Sequence, residues 1–244
     1  MSFIYRLNAF ATRQLPIKLA RLNPGRALAS FTFDDFPKSA WTAGGPILEG
    51  FGAKASYYAV GDFCGRTVEN VEQYDEADLK AVHAAGHEVG CHTFSHQHGP
   101  HVSSQRLRED VAGNAAFLTE RLGEAPVTFA YPYGEASPRT KALFASLFAA
   151  SRGIRPGVNG AVTDMAQLRA VPLEIRSWKA LDVERWVEAA RASKGWLVFF
   201  SHDVSESPSP YGATPAMLTH ALTCVRQAGI EITTVKEAVA VAAR

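Results

Sequence analysis

With 244 residues, 47% of them hydrophobic, the chain can bury one large core, and single-domain α/β barrels reach this size. A formal net charge of +1 with 20% charged residues excludes the electrostatic footprint of a nucleic-acid binder. Three cysteines, Cys64, Cys91 and Cys224, odd in number, widely spaced and without a CxxC pair, argue against a disulfide framework and suggest free buried thiols in a reducing compartment.

The first 26 residues carry Arg6, Arg13, Lys18, Arg21 and Arg26 and no acid. These charges interrupt every apolar run, so no secretory signal of about 7–15 apolar residues is formed, and no later stretch has the length of a membrane span. The expected location is cytoplasmic. Phe3, Ile4, Tyr5 and Phe10 among the basic residues could touch an anionic membrane surface weakly, but a short docking helix is the preferred reading. Residues 1–26 are therefore expected as a basic extension packed on one domain of residues 27–244.

Residues 27–33 form an apolar, β-prone run that stops at Asp34, Asp35 and Pro37, which predicts a buried strand ending in two carboxylates. A helix over 39–50 closing at a glycine and a strand over 53–60 follow. Residues 75–85 have helical spacing with Gly86 as a stop, and 87–91 form the next strand. Leu107, Val111, Ala115, Leu118 and Leu122 make an apolar stripe along a helix over 103–123, with Ser103 or Ser104 as N-cap. A short strand over 127–131 leads into a tight Tyr-Pro-Tyr-Gly turn at 131–134. Then come a helix over 137–149, a short strand over 150–153, a glycine-rich loop over 155–164 and an extended stretch over 168–175. Asp182 is a candidate N-cap for a helix over 182–192. The most apolar strand, 196–200, ends in Ser201, His202 and Asp203. A Ser- and Pro-rich loop over 204–215, a helix over 215–228, a strand over 230–233 and a last helix complete the chain. About seven strand segments alternate with helices, one fewer than the eight of a regular barrel. The fold class expected is α/β, a deformed (β/α)7-type barrel with its active site at the C-terminal ends of the strands.

Five of the eight histidines lie at 87, 92, 96, 98 and 101. Clustered imidazoles are neutral nitrogen ligands for a borderline metal. His92 and His96, four apart, can reach one ion from the same side, and catalytic zinc commonly takes a third protein ligand. Asp34 and Asp35 start towards opposite sides of a strand, so one can complete an Asp, His, His set while the other stays free as a base. His98 and His101 read as rim residues, and His87 and His220 as structural. Alternation turns Cys91 into the core, which is also the default place for Trp41, Trp178 and Trp186.

Phe31-Thr-Phe-Asp-Asp35, His92-Thr-Phe-Ser-His96, Phe129-Ala-Tyr-Pro-Tyr-Gly134 and Leu197-Val-Phe-Phe-Ser-His202 resemble, in the family's order, the motifs of the polysaccharide deacetylases, the NodB-homology group of carbohydrate esterase family four. The resemblance implies a divalent metal, Zn2+ first with Co2+, Ni2+ or Mn2+ as alternatives, held by Asp35, His92 and His96. It implies Asp34 as general base, His202 as general acid and the backbone N–H of Tyr133 as an oxyanion donor. Thr93 and Ser95 are expected to bond the loop backbone and fix the ligand histidines. Two departures stand out. Ala130 replaces the arginine that orients the base in many members, as in a variant found in some exopolysaccharide deacetylases, so motif three offers Asp34 no partner. Motif four is loosely matched by Trp178-Lys-Ala-Leu-Asp182, so Asp182 is either the acid that orients His202 or an N-cap. The function implied is metal-dependent deacetylation of an N-acetylated carbohydrate, with an O-acetyl ester second. Two rivals are a hydrolase of small amides, ureides or cyclic imides on the same fold and metal, and a non-catalytic sugar-binding protein.

Overall fold

In the computed structural model, residues 12, 15–22 and 25–242 are described, and all structural statements concern these. The expected N-terminal docking helix, with Phe3, Ile4, Tyr5 and Phe10, lies outside them. The part of the extension that is described joins the domain through β1 (Leu19–Arg21), which pairs antiparallel with β9 (Val162–Asp164). Asp164 accepts the Ile17 and Lys18 amides at 3.1 and 2.9 Å, and buried Lys141 lies 2.7 Å from it. Residues 155–164, expected as loop, thus hold a strand. Its partner is some 140 residues away in sequence, which local patterning does not reveal.

The main sheet is parallel. Its order is β10 (Val171–Pro172), β11 (Trp196–Ser201), β2 (Leu28–Asp35), β3 (Ser56–Ala59), β6 (Glu88–Cys91), β7 (Thr128–Ala130) and β8 (Ala150–Arg152), with β12 (Glu231–Ile232) beside β2. Seven strands curl into a deformed barrel. Residues 168–172 tie its two edges: Leu168 exchanges hydrogen bonds with β8 (2.8 and 3.0 Å), while Val171 pairs with Phe199 of β11. Every residue of β11 is buried, which is why it reads as a continuous apolar run rather than an alternating one.

Helices α3 (Glu76–Ala84), α4 (Ser104–Leu122), α5 (Pro138–Leu147), α6 (Ala180–Ser193) and α7 (Pro215–Gln227) carry the crossovers. Segment 39–50 is two short helices, α1 (Lys38–Thr42) and α2 (Gly44–Gly50), rather than one. Pro46 has no N–H to bond the carbonyl of Thr42 and its ring crowds that turn, so the helix breaks there. Residues 67–72 add a small hairpin, β4 (Thr67–Val68) and β5 (Val71–Glu72), that was not expected.

Three apolar clusters follow from strand alternation, one of them formed by Cys91 and Phe129 under Leu107, Val111 and Phe144 of the helices. Phe31, Phe33 and Tyr57 face outward and pack under Ala40, Leu48, Leu79 and Leu218 of the helices. Leu28, Trp196, Val198 and Phe200 face inward with Val235 and Ala238 of α8 (Val235–Ala242). On the inward face Gly90 leaves room for Tyr58, since a Cβ there would lie 2.5 Å from its ring.

Buried Glu88 anchors the last helix. It accepts from Ser56 Oγ at 2.6 Å, from the Lys236 amide at 2.8 Å and from Thr128 Oγ1, while Ser56 Oγ takes the Val235 amide at 2.9 Å. Truncation as Glu88→Ala strands these donors in the interior, so it is expected to lower the urea unfolding free energy by on the order of 3 kcal/mol. Glu88→Gln, which keeps an acceptor, is expected to lose less, and equal losses in the two variants would contradict this role.

Candidate active site

The period-two alternation of the strands selects the side chains at the mouth of the barrel. Counting inward positions along each strand gives 28, 30, 32 and 34 on β2, 88 and 90 then 92 on β6, 128 and 130 on β7, 150 and 152 on β8, and 196 to 202 in steps of two on β11. Asp34, His92, Ala130, Arg152 and His202 thus all terminate inward-facing rows.

Register explains the missing motif-three arginine. Ala130 pairs directly with Arg152 on the next strand, so the guanidinium occupies the neighbouring place in the same layer. Arg152 is fully buried and its Nη2 donates to Asp34 Oδ1. Nη1 bonds the Gly153 carbonyl at 3.1 Å, and the cation lies 5.1 and 5.5 Å from the Phe200 and Tyr58 ring centroids. Burial pushes the Asp34 carboxyl up, but Arg152, with His92 and His202 beside it, outweighs burial and holds it below the usual carboxylate range.

Asp35 is the point of convergence. Its Oδ1 lies 3.4 Å from His92 Nε2 and 3.2 Å from His96 Nε2, and its Oδ2 lies 4.0 Å from His202 Nε2. Oδ1 is buried and accepts no hydrogen bond among the described residues. Both histidines are driven towards the neutral form by burial, His96 down to about 4. His92 Nδ1 sits 2.9 Å from the Ala130 carbonyl and, as the donor, leaves Nε2 with its lone pair towards Asp35. A carboxylate oxygen and neutral imidazoles with lone pairs aimed at it do not attract one another; a cation among them satisfies all three. Tetrahedral bonds of about 2.0–2.2 Å separate such N and O ligand atoms by about 3.3–3.5 Å, close to both separations found. The three atoms fit a small divalent cation.

The backbone is strained here. Asp35, Phe36, Thr93, His96 and Tyr133 all have left-handed φ, five of the eight non-glycine residues that do among the described residues. Such strain gathers where side chains must be aimed. The loop 93–97 is held by Asp110 of α4, which accepts the Phe94 and Ser95 amides at 2.7 and 3.3 Å and the Ser95 hydroxyl. Thr93 Oγ1 accepts the Gln97 amide at 3.1 Å, so Thr93 bonds the loop backbone whereas Ser95 bonds a carboxylate. Tyr133 is half-exposed, its ring stacked on His98 at 3.6 Å and lying 4.4 Å from His96. His202 Nδ1 lies 3.3 Å from the Tyr211 carbonyl.

Asp182 stands apart. It is neither the N-cap of α6, which is Lys179, nor a partner of His202. It lies in the first helical turn, half-exposed, 3.7 Å from Arg185. Helix α6 starts two residues earlier than expected, which turns Asp182 to the surface. The acid on the His202 side is Glu174, just beyond β10, buried, with Oε2 2.7 Å from Arg176 Nε and Oε1 unpartnered. Burial raises its carboxyl, and the charges of Arg176 and His202 oppose that rise.

The model of the polysaccharide deacetylase family matches residues 21–148, more than half of the chain. The chain belongs to the polysaccharide deacetylase family. As a polysaccharide deacetylase relative it is 29% identical over 113 residues to a peptidoglycan-N-acetylglucosamine deacetylase of Bacillus cereus (45% of this chain, 38% of that one). It is 23% identical over 141 residues to chitin deacetylase 1 of Cryptococcus neoformans (58% and 27%). It therefore spans well under half the length of either. Among solved structures, a family 4 acetyl xylan esterase of Clostridium thermocellum in complex with a cobalt ion superposes with a TM-score of 0.60 at 24% identity, over 87% of this chain and 90% of that one. A CE4-family pseudoenzyme of Bacillus anthracis gives 0.59 at 15%, over 92% and 69%. These two show the shared fold. Among the described residues, no helix is long and apolar enough to cross a membrane.

The Asp34–Arg152 pair makes a directional prediction. Breaking a buried pair by removing one partner costs about 3–5 kcal/mol. Asp34, held low in the native state, stabilises the fold above its unfolded pKa, and that contribution is lost as pH falls through the folded value. In Arg152→Met burial acts on Asp34 with its main partner gone and raises its pKa. The stability deficit measured by urea unfolding is then expected to be largest at neutral pH and to shrink as the pH is lowered towards protonation of Asp34. A deficit independent of pH would contradict the pairing.

Proposed function

We propose that this polysaccharide deacetylase relative removes acetyl groups from an N-acetylated carbohydrate, with a divalent cation of the zinc class held by Asp35, His92 and His96. The observation that carries the reading is the three lone pairs converging on one gap beside a carboxylate kept ionised by a buried arginine. Bound there, such a cation supplies Lewis acidity, which acidifies water and polarises an acyl oxygen.

The chain's own groups divide the remaining work. Arg152 takes Oδ1 of Asp34, leaving Oδ2 to accept the proton of the attacking water. Across Asp35, His202 Nε2 is placed to pass a proton to the departing amine nitrogen, while its Nδ1–H, donated to the Tyr211 carbonyl, fixes the ring. The Tyr133 N–H, presented by a left-handed turn with φ 59°, serves the developing oxyanion. Asp110 and Thr93 hold the loop that carries His96, and Glu174, buried and paired with Arg176, is the acid on the His202 side. Water is split between acetate and the free amine, and the proton lost to Asp34 is balanced by the one given by His202.

The carbohydrate reading rests on two exposed aromatics. Tyr133 and Tyr211, 49% and 44% exposed, lie beside His96 and His202 respectively. His98 stacks on the Tyr133 ring and Arg176 lies over the Tyr211 ring, so what they offer a sugar is their remaining exposed ring surface at the rim.

Acetate release from an N-acetylchitooligosaccharide tests the proposal. Activity is expected to vanish on chelation and return with Zn2+ or Co2+. Asp34→Asn and His202→Ala are each expected to lower kcat by about 10²–10⁴ while retaining the metal. Turnover of small amides alone would favour the rival substrate class, and oligosaccharide binding without turnover by the metal-loaded protein would favour the non-catalytic reading. Unchanged kcat in both variants would overturn the assigned roles.

A further inference from the structure

Helices α6 and α7 pack side by side outside the sheet, and their contact holds a second cluster of ligand-type side chains. His220 and Cys224 are four residues apart on α7, so one turn brings both to the same face. Glu184 on α6 stands opposite. His220 Nε2 lies 3.5 Å from Cys224 Sγ and 3.8 Å from Glu184 Oε1, and one ligand atom from each residue lies within 4.8 Å of the others. Trp178 meets the His220 ring edge-on at 5.7 Å.

Hydrogen bonding uses little of this trio: Nε2 is within hydrogen-bond distance of the Cys224 sulfur, while the half-exposed Glu184 carboxylate, 3.8 Å away, is left to solvent. A cation at the centre serves all three. Tetrahedral zinc, with bonds of about 2.3 Å to sulfur and about 2.0–2.1 Å to nitrogen, separates S from N by about 3.5–3.6 Å. The Cys224–His220 separation is close to that value, and the Glu184 oxygen, on the exposed side at 3.8 Å from Nε2 and within 4.8 Å of the sulfur, has to move inward to complete the set. The trio is partly exposed, so an ion can reach it.

We propose that Glu184, His220 and Cys224 form a second metal site, distinct from the Asp35 site, for a borderline cation of the zinc class. Sulfur and imidazole ligation disfavours Mg2+ and Ca2+. Three protein ligands leave a position for water. Binding displaces the thiol proton to solvent and leaves a thiolate–metal bond. The ion clamps α6 to α7. These helices follow the segments that carry Glu174 and Tyr211, so the clamp braces the side of the mouth where His202 lies.

Titration of the metal-free protein with Co2+ tests this, because only a sulfur ligand gives a near-ultraviolet thiolate-to-cobalt charge-transfer band. The expected result is two equivalents bound, with the band. Cys224→Ser is expected to lose one equivalent and the band, and Glu184→Gln to weaken the same equivalent. Asp35→Ala is expected to lose the other equivalent and keep the band, so failure here is separable from failure of the proposed function. Zn2+ is expected to raise the unfolding temperature of Asp35→Ala but not of Asp35→Ala/Cys224→Ser. Absence of the band, or a band that persists in Cys224→Ser, overturns the proposal.

Discussion

The ion pair between Asp34 and Arg152 is the constraint on which the mouth of this barrel depends. Moving either charge out of water costs several kcal/mol, and a lone buried arginine would not survive in such a layer. It is sustained because Asp34, the Gly153 carbonyl and two aromatic faces surround it. The pair keeps a carboxylate ionised in a place where burial alone would neutralise it. It also uses up the arginine, so among the described residues the groups left beside Asp35 are imidazoles, those of His92 and His96 at its Oδ1 and of His202 at its Oδ2.

That second carboxylate is consequently left to neutral imidazoles. Its buried Oδ1 has no donor, and the ring nitrogens nearest to it are held uncharged by the same burial that excludes water. Two adjacent residues, brought to the same mouth because the left-handed φ at Asp35 breaks the strand alternation, thus acquire opposite needs. Asp34 already has its cation. Asp35 lacks one. The proposed division of labour between a proton acceptor and a metal ligand rests on that difference in partners rather than on any difference in the side chains.

Much of this was legible in the chain because it depends on local pattern. The apolar runs that become β2 and β11 announce themselves, and the polar residues that end them mark the rim; Asp34, Asp35, His92 and His202 are singled out by that rule, and His96 by its four-residue spacing from His92. What escaped depends on pairing between distant strands. Arg152 sits in a three-residue strand, and only the register with Ala130 shows that it replaces a motif-three arginine from one strand over. Its signal was a charged residue at an inward position of an apolar strand. Glu174 drew no attention because β10 is two residues long and gives little strand signal, whereas Asp182 stood near a legible helix start. Asp110 holds the His96 loop from 15 or more residues downstream, on a helix whose apolar stripe drew attention to its other face. Strand β9 hid in a glycine-rich stretch because its only partner is near the N-terminus.

The most direct measurement is anomalous diffraction at the zinc edge from crystals grown with Zn2+. The account predicts a peak bonded to Asp35 Oδ1, His92 Nε2 and His96 Nε2, with Asp34 still paired to Arg152 and not ligating. A fully zinc-loaded crystal with no peak among those three atoms would contradict it.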